Sequence, residues 1–465
     1  MLLDMKDFEK RIAGAESALQ RFFDADGLIT FSRAPGCLDV MGGVGLYTGS
    51  TQLAATIGEA AHAAIQLRGD TKLRIWTRSG AGDDDSPIIE RELGDVVAGV
   101  ANENDSDECP RRCECVRLIG NCFEYLMRQI GSTGSTRGAN IVLESRIPIG
   151  AGLGSSDAVI AATLVAIDAA YSFNIAPEQL ASRGTQVRQS GLQPDDAFAS
   201  QMATVFGHKG KLLVYRCQTH EIDGYEPLPA GVRIYGITSG KGQAAANVPV
   251  NRGRIGAALG LDLINRRRAE LGDSPIGHLS ELTPNKYRRD YAAVLPSRIL
   301  GSEYNRTVGR DCETPGINPV QLYSVRAASE HVIYESYRVS TFLTSLEEVG
   351  NNSGARVTLG LIRAGEAMYG SHWSYTRTGR GCRETTQLVR MAREAGPSRG
   401  IFGARITGAG SGGTVAVLTY GSDADATVRE IAAAYTTMTG NEAHVVLAGK
   451  SPGAAEFGTR TTTGF

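Results

Sequence analysis

The sequence predicts an α+β fold, and three features of the chain predict it. Strand-like and helix-like segments mix without a regular strand–helix–strand repeat. A glycine-rich run, Pro148-Ile149-Gly150-Ala151-Gly152-Leu153-Gly154-Ser155-Ser156, opens directly into an apolar segment, Ala158 to Ala170, with no helix breaker in it. A second glycine-rich run, Thr407 to Gly413, lies between two strand-like segments, Phe402–Thr407 and Thr414–Tyr420. With 465 residues the chain is long enough to bury a large core and to divide into two domains.

The elements follow in order. The first twenty residues carry Asp4, Asp7, Glu9 and Glu16 and lack an apolar core, so they read as an amphipathic helix and not as a signal peptide. Around Phe31-Ser-Arg-Ala-Pro-Gly a strand runs into a turn, and Ala60–Gln66 and Lys72–Thr77 alternate as strands. Gly80–Pro87 reads as a solvated hairpin loop and Ala101–Asp107 as a second polar loop. Val116–Ile130 is helical, Asn140–Leu143 is the strand that feeds the glycine run, and Gly207–Tyr215 is another strand. Tyr225–Pro229 reads as a proline-containing loop, and the domain boundary is expected there, giving residues 1–230 and 231–465. The second part opens with a strand, Gly231–Ser239, and a helix, Asn251–Leu271, followed by a loop-rich stretch, Gly272–Pro319. Helices are predicted over Leu322–Val349, Val357–Met368 and Asp423–Thr439, and a closing strand over Glu442–Leu447. The polar tail, Gly458–Phe465, is expected to fray.

Bulk properties exclude several classes. The chain is 42% hydrophobic and 21% charged, with a net charge of −2. That is no basic surface for nucleic acid and no attraction to an anionic membrane, and no apolar run is long enough to span a bilayer. A cytoplasmic protein, monomer or homodimer, is expected. The eight cysteines make no disulfide framework. Cys109, Cys113, Cys115 and Cys122 cluster, but their spacing fits no common zinc or iron–sulfur pattern, so reduced thiols near a helix are expected.

A glycine-rich loop that opens a helix is suited to anions. Its backbone N–H groups point at the ligand, the helix dipole favours negative charge, and glycine lets the chain approach a phosphate closely. A tight turn with a serine cap explains the same residues without a ligand. Two further segments weigh on that choice. They are Arg33-Ala34-Pro35-Gly36-Cys37-Leu38-Asp39-Val40-Met41-Gly42-Gly43 and Ala404-Arg405-Ile406-Thr407-Gly408-Ala409-Gly410-Ser411-Gly412-Gly413-Thr414-Val415. In this order and at these distances, the three segments resemble the signature motifs of the GHMP small-molecule kinases. The wording of Leu38–Gly43, of Arg405–Thr414 and of Ser324–Val339 is closest to the L-arabinokinase-like branch of the sugar kinases.

The resemblance implies the two-domain GHMP-kinase fold, a ribosomal-S5-like first half and a ferredoxin-like second half, with ATP and Mg²⁺ in the cleft between them. The phosphates would lie on Gly150, Gly152, Leu153, Gly154, Ser155 and Ser156. It also implies side chains that are replaced here. The acidic Mg²⁺ ligand of the pattern falls at Ile160; Asp157 with Ser156 can substitute, or Asp157 simply complements the helix dipole. The arginine that follows Ala-Pro-Gly is Cys37, and the nearest cation, Arg33, is on a strand. The sugar-binding aspartate of the motif is Leu46, which leaves Tyr47 beside it. The segment that carries the catalytic base reads Gly191-Leu-Gln-Pro-Asp195-Asp196-Ala-Phe-Ala199-Ser200-Gln201-Met202. Anchored on Gln201-Met202, Ala199 or Ser200 takes the base position. Anchored on Pro194, Asp195 or Asp196 lies a few residues early, as a base or as a helix cap, and Asp196 is the expected base. Asp39, Tyr47, Ser239, Gly240, Gly408 and Gly410 would line the acceptor side, and Lys241 is a phosphate contact or a surface lysine.

Two functions fit. One is transfer of the γ-phosphoryl group of ATP to a hydroxyl of a sugar or sugar-like polyol, of the L-arabinose or galactose 1-kinase type. The other is a catalytically degenerate protein that binds nucleotide or metabolite without phosphorylating it. Four functional positions of the pattern replaced together, at Cys37, Leu46, Ile160 and Ala199, speak for the second; positioning and electrostatics alone sustain the first.

Overall fold

The structure is a computed structural model that describes residues 3–14, 19, 22–43, 49–78, 88–98, 110–130, 137–189, 198–242, 247–308 and 316–463. The expected loops Gly80–Pro87 and Ala101–Asp107, and the residues Cys109, Leu46, Tyr47, Asp195 and Asp196, lie outside the described residues.

Helix α1 (Leu3–Ala13) carries Met5, Phe8 and Ile12 at helical spacing and buries them with Phe31, Trp76 and Val142. Strands β1 (Leu28–Met41) and β2 (Thr51–Leu67) pair antiparallel over most of their length. The expected turn at Ala34-Pro35-Gly36 is not a turn. The strand continues through it, and the proline is absorbed by a register shift between Pro35 and Cys37. Next come β3 (Lys72–Arg78), β4 (Ile89–Glu92), α2 (Leu93–Ala98), α3 (Pro110–Ile130) and β5 (Ala139–Ser145). The glycine run then enters α4 (Ser155–Tyr171), which is followed by α5 (Pro177–Gln189) and α6 (Phe198–Phe206). A hairpin, β6 (Lys211–Arg216) and β7 (Glu221–Pro227), and the last strand, β14 (Thr459–Thr463), complete an eight-stranded sheet ordered β14-β1-β2-β5-β3-β4, with β6 on β2 and β7 on β6. Tyr225–Pro227, expected in a loop, is therefore strand, and Pro227 sits at the end of an edge strand where its missing N–H costs little.

Strand β8 (Val232–Thr238) starts a second sheet. Helix α7 (Asn247–Glu270) follows, and after it the stretch expected to be loop. That stretch holds its own buried cluster of Tyr287, Tyr291 and Tyr304 against Leu259 and Val332, with a ribbon of β9 (Ile299–Leu300) and β10 (Leu322–Tyr323) around α8 (Gly301–Val308). Long helices α9 (Val325–Asn351) and α10 (Ala355–Arg377) and the shorter α11 (Arg383–Ala395) lead into β11 (Ile401–Ile406) and β12 (Thr414–Tyr420). Helix α12 (Ala424–Thr439) and β13 (Val445–Leu447) close a four-stranded antiparallel sheet ordered β11-β12-β8-β13.

The tail does not fray. Thr459–Thr463 form β14, paired antiparallel with β1 from Leu28 to Ser32. The threonine run favours a strand, and β1 offers an open edge. The end of the chain thus returns to the first sheet, so a cut at 230/231 does not leave the C-terminal residues wholly with the second.

Helix α10 lies so close to β11 that a Cβ on Gly365 would fall against the carbonyl oxygen of Phe402, a backbone atom that cannot move aside. Gly365→Ala is therefore expected to destabilise the fold by about 2 kcal/mol through overpacking, measured as a lower urea midpoint with unchanged slope.

Candidate functional site

Three separated segments converge at one place. The first is the glycine run. Gly150, Gly152 and Gly154 hold φ of 68°, 71° and 70°. Gly154 is the N-cap residue of α4, and no side chain caps the helix there. This left-handed conformation is open to glycine at little cost, and it leaves the first-turn N–H groups facing outward as an anion cradle. Leu153 anchors the run: it is buried, and its carbonyl accepts from the Cys37 N–H at 2.9 Å. The Ala151 carbonyl accepts from the Thr414 hydroxyl at 2.7 Å. The run is thus tied to β1 on one side and to β12 on the other.

The second and third segments meet through a buried charge network. Arg405 on β11 is fully buried and donates from Nη1 to Asp39 Oδ2 and to the Val40 carbonyl, both at 3.1 Å. Its Nε donates to Ser371 Oγ at 3.0 Å, and its guanidinium lies over the Tyr375 ring, 5.2 Å from the centroid. The Gly408 N–H donates to the same Asp39 oxygen at 2.9 Å. The Tyr375 hydroxyl bridges the Gly43 carbonyl, at 2.6 Å, and the Gly408 carbonyl, at 3.0 Å. Glu335 on α9 accepts from Ser371 at 2.5 Å and pairs with Arg338 at 3.1 Å. Burial pushes the Asp39 carboxyl above its usual range, against the pull of Arg405 and the Gly408 amide. Burial works against the Glu335 charge too, but Arg338, Arg405 and the Ser371 hydrogen bond hold its carboxyl below the usual range.

The predicted residues divide accordingly. Gly150, Gly152, Leu153, Gly154, Ser155 and Ser156 form one contiguous loop and helix start. Asp39 and Gly408 come together, Asp39 as the partner of Arg405 with its Oδ1 left without a hydrogen-bond partner among the described residues, while Gly410 packs against Arg380. Ser239 joins the third segment by donating its N–H to the Gly413 carbonyl at 2.8 Å. Gly240 follows it against Asn441 and Glu442, and Lys241 pairs with Glu384 at 3.1 Å. Arg33 does not reach the site: it is buried against Asp4, Ser451 and the Gly58 carbonyl.

Ser156 and Asp157, paired in the sequence reading as metal ligands, face different partners. The Ser156 hydroxyl donates to Glu114 Oε1 on α3 at 3.1 Å. Asp157 is buried and accepts from the Ser200 hydroxyl on α6. Glu114, Arg405, Glu335 and Tyr375 were not singled out in the sequence. Only Arg405 carried a signal, a cation at the end of an otherwise apolar strand. Cys37 and Ala199 lie together in one apolar cluster with Ala54, Leu213, Tyr215 and Cys217, so positions expected to hold charge hold a packed patch instead.

A pocket of about 860 Å³ opens at the carboxyl ends of β3 and β5, between Arg78, Glu144, Pro148 and Ile149 on one side and His444–Val446 on the other. It adjoins the entry to the glycine loop, in the crevice position that ligands take in mixed sheets. No described helix is long and apolar enough to cross a membrane.

An uncapped, glycine-lined helix start is thus held between β1 and β12 and bordered by a crevice. The family model described as GHMP kinases N terminal domain matches residues 117–206, and that described as GHMP kinases C terminal matches residues 359–437. Two GHMP-kinase family models thus match this chain, one in each half. It is similar to an L-arabinokinase of Arabidopsis thaliana, 28% identical over 97% of this chain, of which it spans 48%. It is also similar to a galactokinase of Exiguobacterium sibiricum, 24% identical over 95% of each chain. Among solved structures it matches Lactococcus lactis galactokinase complexed with galactose at a TM-score of 0.72 and 19% identity, over 99% of this chain and 100% of that one. That likeness shows the α+β GHMP-kinase fold.

Two predictions follow from the network. Arg405→Met leaves Asp39 as an uncompensated buried charge and is expected to cost about 3–5 kcal/mol, read by urea unfolding. His331 and His372, both buried beside this network, have their pKa values pushed down by burial from 6.5 to about 3 and about 4. Both are neutral when folded and protonate near 6.5 when unfolded, so their contribution is full above pH 6.5 and is lost as the pH falls toward 4. The melting temperature should drop between pH 7 and pH 5, at about 2 kcal/mol per histidine, and His372→Gln should make that drop shallower.

Proposed function

We propose that this chain transfers the γ-phosphoryl group of ATP to a hydroxyl of a sugar or sugar-like small molecule, with the L-arabinose and galactose 1-kinases as the nearest chemistry. The observation that carries the proposal is the glycine loop: an open helix N-terminus with left-handed glycines, tied through Leu153 to β1 and through Ala151 to β12. Such a cradle stabilises charge on a transferring phosphoryl group, which is most of what this reaction asks of a protein. In this reading the phosphates lie on Gly150–Ser156 and the nucleoside extends into the crevice by Pro148 and Ile149. The sugar lies toward Asp39, Ser239, Gly240, Gly408 and Gly410. The division at residue 230/231 would separate the phosphate-loop sheet from the sheet that begins at β8, apart from the returning β14.

The donor set fits Mg²⁺. The Ser156 hydroxyl and the Glu114 carboxylate are hard oxygen donors 3.1 Å apart at the phosphate loop. Glu114 would supply from α3 the acid that Ile160 denies from α4, and Asp157, turned to Ser200, is left out of the set. Mg²⁺ held there would neutralise phosphate charge. Binding without phosphorylation is the less favoured reading, because the curated relatives named above are kinases.

The test is ATP turnover by purified protein with Mg²⁺ across a panel of free sugars and cyclitols. Gly154→Asp is the blank, since a Cβ there would sit 2.8 Å from the Cys37 sulfur and add negative charge to the cradle. One acceptor is expected to turn over and to be lost in the blank. ATP binding with no acceptor turned over would overturn the kinase reading.

A further inference from the structure

We propose that Ser200 is the hydroxyl that contacts the incoming sugar and that Asp157, acting through it, takes up the proton released by transfer. The proposal rests on the phosphoryl-transfer reading above and adds the group that reading lacks.

Transfer to a hydroxyl releases one proton, and a group within hydrogen-bond reach of the acceptor oxygen must receive it. Along the face of β1 that meets the glycine loop, Cys37 offers no base. It touches the loop directly: its N–H holds the Leu153 carbonyl, and its sulfur lies 2.8 Å from where a Gly154 side chain would begin. Ala199 is buried in the same apolar cluster and offers none either. The next residue is different. Ser200 Oγ lies 3.6 Å from the same Gly154 point, so a hydroxyl stands at the edge of the phosphate cradle. That hydroxyl donates to Asp157 Oδ2, and Asp157 is 1% exposed. A buried carboxylate cannot touch a substrate, but a half-buried serine in front of it can.

The geometry is that of a base reaching out through a hydroxyl. Asp157 sits in the first turn of α4, three residues beyond the N-cap Gly154, so the element that cradles the phosphates also carries the carboxylate. Ser200 comes from the start of α6, packed alongside α4. The step balances. The acceptor oxygen forms a bond to the γ-phosphorus, and the bond to the bridging oxygen breaks, its electron pair leaving with ADP. The acceptor proton passes to Ser200 Oγ as the serine proton passes to Asp157 Oδ2, from which it returns to solvent. A helix-capping serine would explain the contact alone; it would not place the hydroxyl between the carboxylate and the phosphate loop.

The experiment compares the parent enzyme with Asp157→Asn, Ser200→Ala, Ser200→Asp and the double variant Asp157→Asn/Ser200→Asp, using the sugar the parent phosphorylates. Asp157→Asn is isosteric and keeps the serine bond. It is expected to lower kcat roughly 100-fold or more, with KM for ATP and the Mg²⁺ requirement within about 2-fold. Ser200→Ala should show a comparable loss. The double variant should recover about 10-fold over Asp157→Asn, because it returns a carboxylate to the place of the hydroxyl. Asp157→Asn within about 3-fold of the parent overturns the proposal. So does retained kcat with a raised Mg²⁺ requirement, which would make Asp157 a metal ligand. So does equal loss of melting temperature and activity without recovery in the double variant, which would make the pair a structural cap. A parent that phosphorylates no sugar overturns the kinase reading and this proposal together, whereas an active parent with an unimpaired Asp157→Asn overturns this proposal alone.

Discussion

The bond between Arg405 and Asp39 is the constraint on which the rest of the site depends. The two residues are 366 positions apart, one on β11 of the small sheet and one on β1 of the large sheet. Taking both charges out of water costs several kcal/mol, and the pair alone does not repay it. Four further contacts do: the Val40 carbonyl, Ser371, the Gly408 amide and the face of Tyr375. Because these partners come from β1, α10 and the 408–413 loop, the network can close only when all three are in register. The glycine loop is then held without a charged residue of its own, since Leu153 hangs from β1 and Ala151 from Thr414, the neighbours of Asp39 and Gly408. A buried ion pair of this kind specifies geometry more than it stabilises.

The glycine loop that opens a helix, both flanking motifs and the α+β class were legible in the sequence because each is written locally. Glycines that need positive φ, a breaker-free apolar run and alternating strands leave a signal within ten or fifteen residues. What was not legible depends on tertiary pairing. Thr459–Thr463 read as a polar tail because nothing near it in sequence shows the open edge of β1. Gly272–Pro319 read as loop because its tyrosines pack against α7 and α9 rather than along a helix of their own. Pro35 read as a turn because a bulge that swallows a proline is a property of two strands, not of one.

The same distinction governs the site. Cys37, Ile160 and Ala199 looked like three separate losses of charge. In the fold, Cys37 and Ala199 are one substitution seen twice, an apolar pair in one cluster. Removing both members of a buried charge pair is far cheaper than removing one. Ile160 is buried in the main hydrophobic core, and Glu114 stands at Ser156 from the neighbouring helix. Asp157, which read equally well as a metal ligand or a dipole acid, turned toward Ser200 instead. No one-dimensional pattern states which of two adjacent side chains, Ser156 or Asp157, faces α3 and which faces α6.

The parts that persisted and the parts that moved differ in kind. A phosphate cradle is made of backbone N–H groups whose directions follow from φ and ψ, so it exists only where the chain itself bends, and the glycines must stay where they are. A carboxylate is carried on a side chain several ångströms long, and any element that borders the cradle can deliver one. Ser156 is bordered by α3, and Gly154 by β1 and α6, so three elements have access to the same few ångströms of space. Loss of an acidic residue from its expected position in sequence is for this reason weak grounds for inferring lost chemistry, while loss of a left-handed glycine would be strong grounds. Here the glycines are intact, and carboxylates stand on both sides of them.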